Sequence, residues 1–384
     1  MTGGAGSGLR LAFLTGTVSG GTGRHVAALA AGCQRAGAEV CVLGPAQARP
    51  LLDPGSCFAP VEIGGRPRPV GDLAAILRLR RQVRALRPDV LHAHGVRAGA
   101  FAALAGLADR AAGSPALVLT VHNAPPEGVL SRVVYAVLER LCALRSDVVL
   151  CAADDLVARM RALGAAHAER FDIPASPAGP PSAAVVASAS ADIAADGRPV
   201  VLAAGRLARQ KGFDVLIAAA ARWRGQAGAP RTVIAGGGPL AARLGAQARR
   251  AGADVLLLGE RADMPALLAN ADVFVLPSRW EARALVLQEA MRAGRAIVAT
   301  SSGGTPGLTG PAAVLVPPGD DAALAEAVLA VLADRALAAS LGLAARSRAA
   351  GFPTQDDALR RALDIYRALR TGRSAEPPAP GPLS

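Results

Sequence analysis

Nearly continuous aliphatic runs recur along this chain, and each is separated from the next by enough residues for a helix. A first block places them at residues 11–15, 40–43, 90–94, 117–122 and 148–151; a second repeats the pattern at 200–204, 232–235, 255–258, 273–277, 297–299 and 314–316. A strand without polar alternation must be covered on both faces, which is the situation of a parallel sheet crossed by helices. The intervening stretches supply the cover, as in the Ala-rich segment 24–36 and the segment 73–86. At 384 residues the chain also exceeds the ~250–300 that one hydrophobic core usually supports. The expectation is an α/β protein of two Rossmann-like, doubly wound parallel-sheet domains facing each other across a cleft. The expected boundaries are an N-terminal domain at 1–178, a Pro/Ala/Ser-rich linker at 179–198 and a C-terminal domain at 199–354. A final helix at 355–372 is expected to pack back on the N-terminal domain, with a disordered tail at 373–384.

Hydrophobic residues make up 52% and charged residues 19%, which excludes a disordered chain; aromatics are only 3%, so the cores are built from Ala, Val and Leu. The formal charge of +12 calls for an anionic partner. Nucleic acid is set aside, because the arginines are spread along the whole chain without aromatic interleaving or a known nucleic-acid motif. Five cysteines, Cys33, Cys41, Cys57, Cys142 and Cys151, contain no Cys-x-x-Cys pair and are odd in number. That reading excludes a disulfide framework and structural zinc and fits a reducing cytoplasm. The first eight residues lack a basic region, residues 11–14 are too short for a signal segment, and no apolar stretch reaches the ~18 residues of a membrane span.

Among 42 basic residues there is one lysine, Lys211. It lies in Gly205-Arg206-Leu207-Ala208-Arg209-Gln210-Lys211-Gly212, at the carboxyl end of the run 200–204. An ammonium is a compact charge on a flexible stem and does not substitute for a planar guanidinium at a phosphate site. In open parallel sheets ligands bind beyond the carboxyl ends of the strands, and nearly all the unusual clusters of this chain follow strands. They are Gly20-Gly21-Thr22-Gly23, His92 and His94, His122-Asn123, Arg206 with Lys211, Gly236-Gly237-Gly238, and residues 278–289. Glycines at a helix N-terminus let a ligand approach backbone N–H groups, but tight βα turns need them for geometry alone. The spacing of the first cluster fits neither Gly-x-Gly-x-x-Gly nor a Walker A loop. Glu281 and Glu289 enclose seven residues, the first on a loop and the second on the ensuing helix. Such carboxylates can reach sugar and ribose hydroxyls, or can simply be solvated or favour the helix dipole.

The stretch 200–318 closely resembles the C-terminal domain of retaining glycosyltransferases of family 4, which have the GT-B fold. The resemblance is carried by Gly205-Arg206-Leu207 with Gln210-Lys211-Gly212, by Ala235-Gly236-Gly237-Gly238-Pro239, and by Asp263-Met264-Pro265 through Asp272-Val273-Phe274-Val275-Leu276-Pro277-Ser278. The Glu-x7-Glu element and Gly303-Gly304-Thr305-Pro306 complete it. The N-terminal half matches more loosely at Gly20-Gly21-Thr22-Gly23-Arg24-His25, at 88–94 and at Thr120-Val121-His122. The resemblance implies a hexosyltransferase using a UDP- or GDP-linked sugar, with an acceptor glycan, lipid-linked sugar or small-molecule hydroxyl. It implies His122, Arg206, Lys211 and Glu281 as catalytic residues. Donor binding would fall to Gly20, Gly21, Gly23, Arg206, Lys211, Gly236, Gly237, Glu281, Ala282, Arg283, Ala284, Leu285 and Glu289. No Asp-x-Asp occurs, so no metal or other cofactor is expected, and His92-x-His94 lacks an evident third ligand.

Three positions depart from the family pattern: Ala282-Arg283-Ala284, Pro174-Ala175-Ser176 and Gly307. They keep open a non-catalytic partner subunit, beside a nucleotide-sugar epimerase on the same fold. Arg78, Arg80, Arg81, Arg84 and Arg87 share a helix with Ile76, Leu79, Val83 and Leu86. That helix is either the solvated face of a packed element or a peripheral contact with an anionic membrane on the cytoplasmic side.

Overall fold

The computed structural model describes residues 8–16, 21–52, 57–64, 67–107, 114–122, 129–175, 179–193, 196–226 and 228–372. Gly20, Asn123, Ser176 and the tail 373–384 lie outside the described residues. The chain divides into two compact units, residues 1–173 with 353–384, and residues 174–352.

Unit 1 alternates strand and helix: β1 (Arg10–Thr15), α1 (Gly21–Arg35), β2 (Glu39–Gly44), α2 (Arg49–Leu52), β3 (Cys57–Pro60), α3 (Pro69–Leu86), β4 (Val90–His94), α4 (Val96–Leu104), β5 (Ala116–Val121), α5 (Val129–Arg145), β6 (Val148–Cys151), α6 (Asp154–Ala162) and β7 (Ala168–Arg170). The seven strands are all parallel in the order β3-β2-β1-β4-β5-β6-β7, so the winding reverses between β1 and β4. β3 and β7 fall outside the aliphatic runs; both are short edge strands, where one-sided pairing tolerates a weaker apolar pattern. α4 packs against both α3 and α5. The ion pair of the buried Glu139 with the part-exposed Arg159, 2.5 Å, ties α5 to α6.

One cysteine expectation is corrected. Cys41 and Cys57 are direct partners on β2 and β3, their Cα atoms 4.5 Å apart, and they are joined by a disulfide. Counting cysteines did not find it, because the pairing depends on β3, which has no aliphatic signature. Cys33, Cys142 and Cys151 are buried thiols.

Unit 2 contains α7 (Ala183–Ile193), β8 (Val200–Ala204), α8 (Phe213–Arg222), β9 (Arg231–Ala235), α9 (Ala241–Ala251), β10 (Val255–Gly259), α10 (Met264–Ala269), β11 (Val273–Leu276), α11 (Leu285–Arg292), β12 (Ala296–Thr300), α12 (Thr305–Thr309), β13 (Val314–Val316), α13 (Asp321–Ala333) and α14 (Arg335–Ala350). Its six strands run in the order β10-β9-β8-β11-β12-β13, and the reversal falls between β8 and β11. Successive side chains of a strand point to opposite faces. Val200, Leu202 and Ala204 of β8 accordingly enter one apolar layer, and Val201 and Ala203 the other. The stretch expected as a linker carries α7, whose Ala189 and Ile193 are buried in the first of these layers.

The last helix, α15 (Gln355–Arg370), belongs to unit 1 and packs on α1 and β4. Its start is set by a reciprocal cap: Thr354 Oγ1 accepts from the Asp357 N–H, and the Asp357 carboxylate accepts from the Thr354 N–H at 2.7 Å. Tyr366, fully buried, reaches from α15 to the ring of Phe13 on β1.

Candidate active site

The reversal between β8 and β11 puts two loops side by side at the carboxyl edge of the unit 2 sheet, 205–212 after β8 and 277–284 after β11. They are locked together through backbone. The Arg279 N–H donates to the Gln210 carbonyl at 2.8 Å, and the Gln210 side chain donates to the Trp280 carbonyl at 2.9 Å. Both Asp214 oxygens accept from Arg279 at 2.8 Å, which holds the Asp214 carboxyl below the usual range. Gly212 has φ +65°, and a Cβ there would stand 2.0 Å from the Pro277 carbonyl oxygen. No side chain fits that crossing.

A third loop joins from β9. The Leu207 N–H donates to the Gly237 carbonyl at 2.8 Å, and the Leu240 N–H donates to the Leu207 carbonyl at 3.0 Å. Gly236, φ +146°, passes so close that a Cβ would lie 1.9 Å from the Gly205 carbonyl oxygen. The glycines that looked ambiguous in the sequence are required by this close approach of two backbones.

The chemistry sits on that framework. The Lys211 ammonium donates to Glu281 Oε1 at 2.5 Å, and Ser278 Oγ donates to the same oxygen at 2.8 Å. The Lys211 side chain is 20% exposed and that of Glu281 is 9% exposed. The Glu281 backbone is pinned from the loop after β12: its carbonyl accepts from the Gly304 N–H at 2.8 Å. Chemically, an ammonium held at the mouth of a parallel sheet by one carboxylate can exchange that partner for another anion, such as a phosphate. Arg206 is exposed on the same loop as Lys211. Glu289 is half-buried on α11, while Ala282 and Ala284 are buried and Leu285 opens that helix. Arg283 lies with its guanidinium carbon 5.4 Å from the centre of the Phe352 ring.

α11 is positioned by a contact that sequence reasoning missed. The Ala175 N–H donates to the Gln288 side chain at 3.2 Å, and Arg292 donates to the Ala175 carbonyl at 3.1 Å. Ala175 stands at one of the departures from the family pattern, and it meets α11 through backbone atoms that any residue carries.

In unit 1 the reversal lies between β1 and β4, and four of the chain's five histidines gather beside it, all buried: His25 on α1, His92 and His94 on β4, and His122 just after β5. His94 Nδ1 and His122 Nε2 are 3.3 Å apart. His92 is held at both ends, by Tyr366 Oη and by Thr120 Oγ1, each at 2.6 Å. The His25 ring stands edge-on to those of His94 and His122, with centres 5.9 Å apart in each case. Burial lowers every one of these pKa values: His25 to about 4, His122 to about 3 with a further push from His25, and His92 and His94 well below their ordinary value. The cluster is therefore neutral at pH 7. His122 can donate or accept a hydrogen bond there, but it is not an imidazolium. Gly21 and Gly23 lie in the first turn of α1. Among the described residues no group of three or more His, Cys, Asp or Glu side chains is arranged to hold a metal ion.

The predicted residues thus form two local groups: Lys211, Glu281 and the glycine-rich 236–238 loop in unit 2, and His122 with three other histidines in unit 1. Neither His25, beside His122, nor Tyr366, bonded to His92, was marked by the sequence as part of this cluster. The available signal was that three histidines fall in the aliphatic runs 90–94 and 117–122 of the first block.

Two doubly wound sheets, the second with an ion-paired lysine and glycine-rich loops at its reversal point, define a nucleotide-binding type of α/β protein. The comparisons place it further: residues 20–175 match the family described as "Glycosyl transferase 4-like domain", and residues 198–334 match "Glycosyl transferases group 1". The chain belongs to the group 1, family 4 glycosyltransferases, with the GT-B fold. It is similar to the alpha-maltose-1-phosphate synthase of Mycobacterium tuberculosis, 32% identical over 214 residues, covering 50% of this chain and 53% of that protein. The corresponding synthase of Mycolicibacterium smegmatis is 31% identical over 211 residues, covering 51% and 53%. The chain spans about half the length of these curated relatives. Among solved structures it resembles HepE of Anabaena in complex with UDP and glucose, with a TM-score of 0.80 at 19% identity, covering 94% of this chain and 100% of that one. It also resembles a sucrose-phosphate synthase from Thermosynechococcus elongatus, TM-score 0.77 at 20% identity, covering 95% and 100%.

Proposed function

We propose that this chain transfers a hexosyl group, with retention, from a nucleoside-diphosphate sugar to an acceptor hydroxyl. The observation that carries this reading is the Lys211–Glu281 pair at 2.5 Å, placed by two interlocked loops at the reversal point of the unit 2 sheet. UDP is the favoured donor nucleotide, because the structural neighbour HepE was solved with UDP, with UDP and glucose, and with UDP-glucose.

On this reading Lys211 and Arg206 receive the donor's diphosphate, Glu289 takes the ribose hydroxyls, and Glu281, released from Lys211, turns to the sugar. The bond from C1 to the diphosphate oxygen breaks and its electron pair leaves with the phosphate. The acceptor oxygen bonds to C1, and its proton passes to the departing diphosphate. A cation ~4 Å from the developing charge contributes at most about 4 kcal/mol at an effective dielectric near 20. Only the part that appears in the transition state speeds the reaction. His122, neutral, supplies a hydrogen bond and no charge.

The test is a thermal-shift series with UDP, GDP and their hexose conjugates. A nucleotide at 100 times its Kd raises stability by ~2.7 kcal/mol. Lys211→Ala is expected to abolish most of the response to the diphosphates and leave the response to uridine unchanged. An undiminished diphosphate response in Lys211→Ala would refute the assignment.

A further inference from the structure

The outward surface of α3 and α5 has no role in the donor chemistry, and its composition is unusual. Val70, Leu73 and Leu77 of α3 recur on one stripe and are 85%, 59% and 53% exposed. On α5, Val133, Val137 and Leu144 form a second stripe, 57%, 63% and 56% exposed, with Val134 beside it. These residues account for seven of the eleven large hydrophobic side chains that are exposed among the described residues. Single exposed aliphatics are ordinary, whereas two parallel stripes on helices of one layer are not.

On the two helices themselves the exposed charge has one sign. α3 exposes Arg78, Arg80, Arg81 and Arg84, and α5 exposes Arg132, Arg140 and Arg145. α3, α4 and α5 contain only two acids, and both are engaged: Asp72 with Arg97 at 3.0 Å, and Glu139, fully buried, with Arg159. The sequence pattern marked α3 alone. The second helix, the shared layer through α4 and the inward engagement of both acids come from the fold.

Orientation adds a further point. A helix that connects parallel strands runs antiparallel to them, so its N-terminal half lies at the carboxyl edge of the sheet. Val70, Leu73 and Leu77 occupy the first half of α3, and Val133, Val134 and Val137 that of α5. The apolar half of this surface is therefore level with His94 and His122, and the arginines of α3 lie farther back.

We infer that the α3–α5 face docks on an anionic lipid bilayer, the aliphatic stripes entering the acyl boundary and the arginines meeting lipid phosphates. Aliphatic side chains framed by arginine on a helical face are the composition of an interfacial contact. A polyanion such as nucleic acid would use the arginines and leave the valines and leucines without a partner. The inference goes beyond the donor reading and stands apart from it, since binding to lipid needs no nucleotide. On that reading, it would bring a lipid-linked acceptor to the edge where the histidines sit.

The test is co-sedimentation of the full chain with phosphatidylglycerol vesicles and with phosphatidylcholine vesicles. Binding to the anionic vesicles alone is expected, weakening as salt rises. Arg78→Glu with Arg81→Glu should reduce it roughly twentyfold or more, since each basic residue near such a surface counts for roughly fivefold. Leu73→Glu with Val137→Glu should reduce it at least tenfold, while Leu343→Glu, at a 69% exposed position in unit 2, should not. Circular dichroism and the nucleotide thermal shift are expected to be unchanged in all three. No binding to phosphatidylglycerol at low salt overturns the inference. So does binding that the arginine pair controls and the aliphatic pair does not, or that an oligonucleotide competes away from both variants equally; either result marks a general polyanion surface.

Discussion

The neutral histidine cluster makes unit 1 sensitive to mild acid, and the size of the effect follows from the burial of four rings. Each has its native pKa pushed down, to about 4 for His25 and about 3 for His122, and well below the ordinary value for His92 and His94. An unfolded histidine titrates near 6.5. The stability gained by keeping these rings neutral is therefore present above pH 6.5 and is lost as pH falls, because the unfolded chain takes up protons that the native unit refuses. At pH 5 His25 and His122 cost about 2 kcal/mol each by this linkage, and His92 and His94 act in the same direction. The net stability of a domain is only ~5–15 kcal/mol, so unit 1 should lose a large share of its stability by pH 5, with an acid limb that takes up at least two protons. Unit 2 is an internal control. No histidine occurs in residues 174–352, and both tryptophans, Trp223 and Trp280, lie there. Urea titrations from pH 8 to pH 5, followed by far-UV circular dichroism and by tryptophan emission, separate the two. The dichroism should split into an acid-sensitive and an acid-insensitive transition, and only the latter should coincide with tryptophan emission. A dichroism profile without an acid-sensitive transition, or an acid limb of about one proton, would refute the reasoning.

Two further substitutions test the framework. Gly212→Ala should cost unit 2 well over 2 kcal/mol, because it combines the left-handed penalty with a Cβ 2.0 Å from the Pro277 carbonyl oxygen. Gly225→Ala, at φ +75° with nothing within 4 Å, should cost only about 1 kcal/mol in the same urea titration. Arg159→Ala strips the fully buried Glu139 of its part-exposed partner and should destabilise unit 1 by roughly 1–3 kcal/mol. Adding Glu139→Gln should recover part of that loss, and a double variant no more stable than the single one would show that the pair is not the cause.

How much was readable without coordinates follows the range of each interaction. The eleven aliphatic runs are strands in the structure, and Lys211 and Glu281, seventy residues apart, were singled out separately by their positions after strands. Their ion pair was not readable, because only the adjacency of β8 and β11 brings the loops together. Ala175 looked like the loss of a functional side chain, yet the contact it makes to α11 is through backbone.

The chain's own residues determined the class of fold, since a strand apolar on both sides has no stable place except between two covering layers. They also determined the glycine-rich and charged loops at strand ends, which are local patterns. Only tertiary structure decided which of those loops meet, which cysteines bond, and that four histidines share one buried cluster with Tyr366 from the last helix. Those outcomes depend on strand order and on helices returning over the sheet, and such long-range pairings leave no periodic trace along a single sequence.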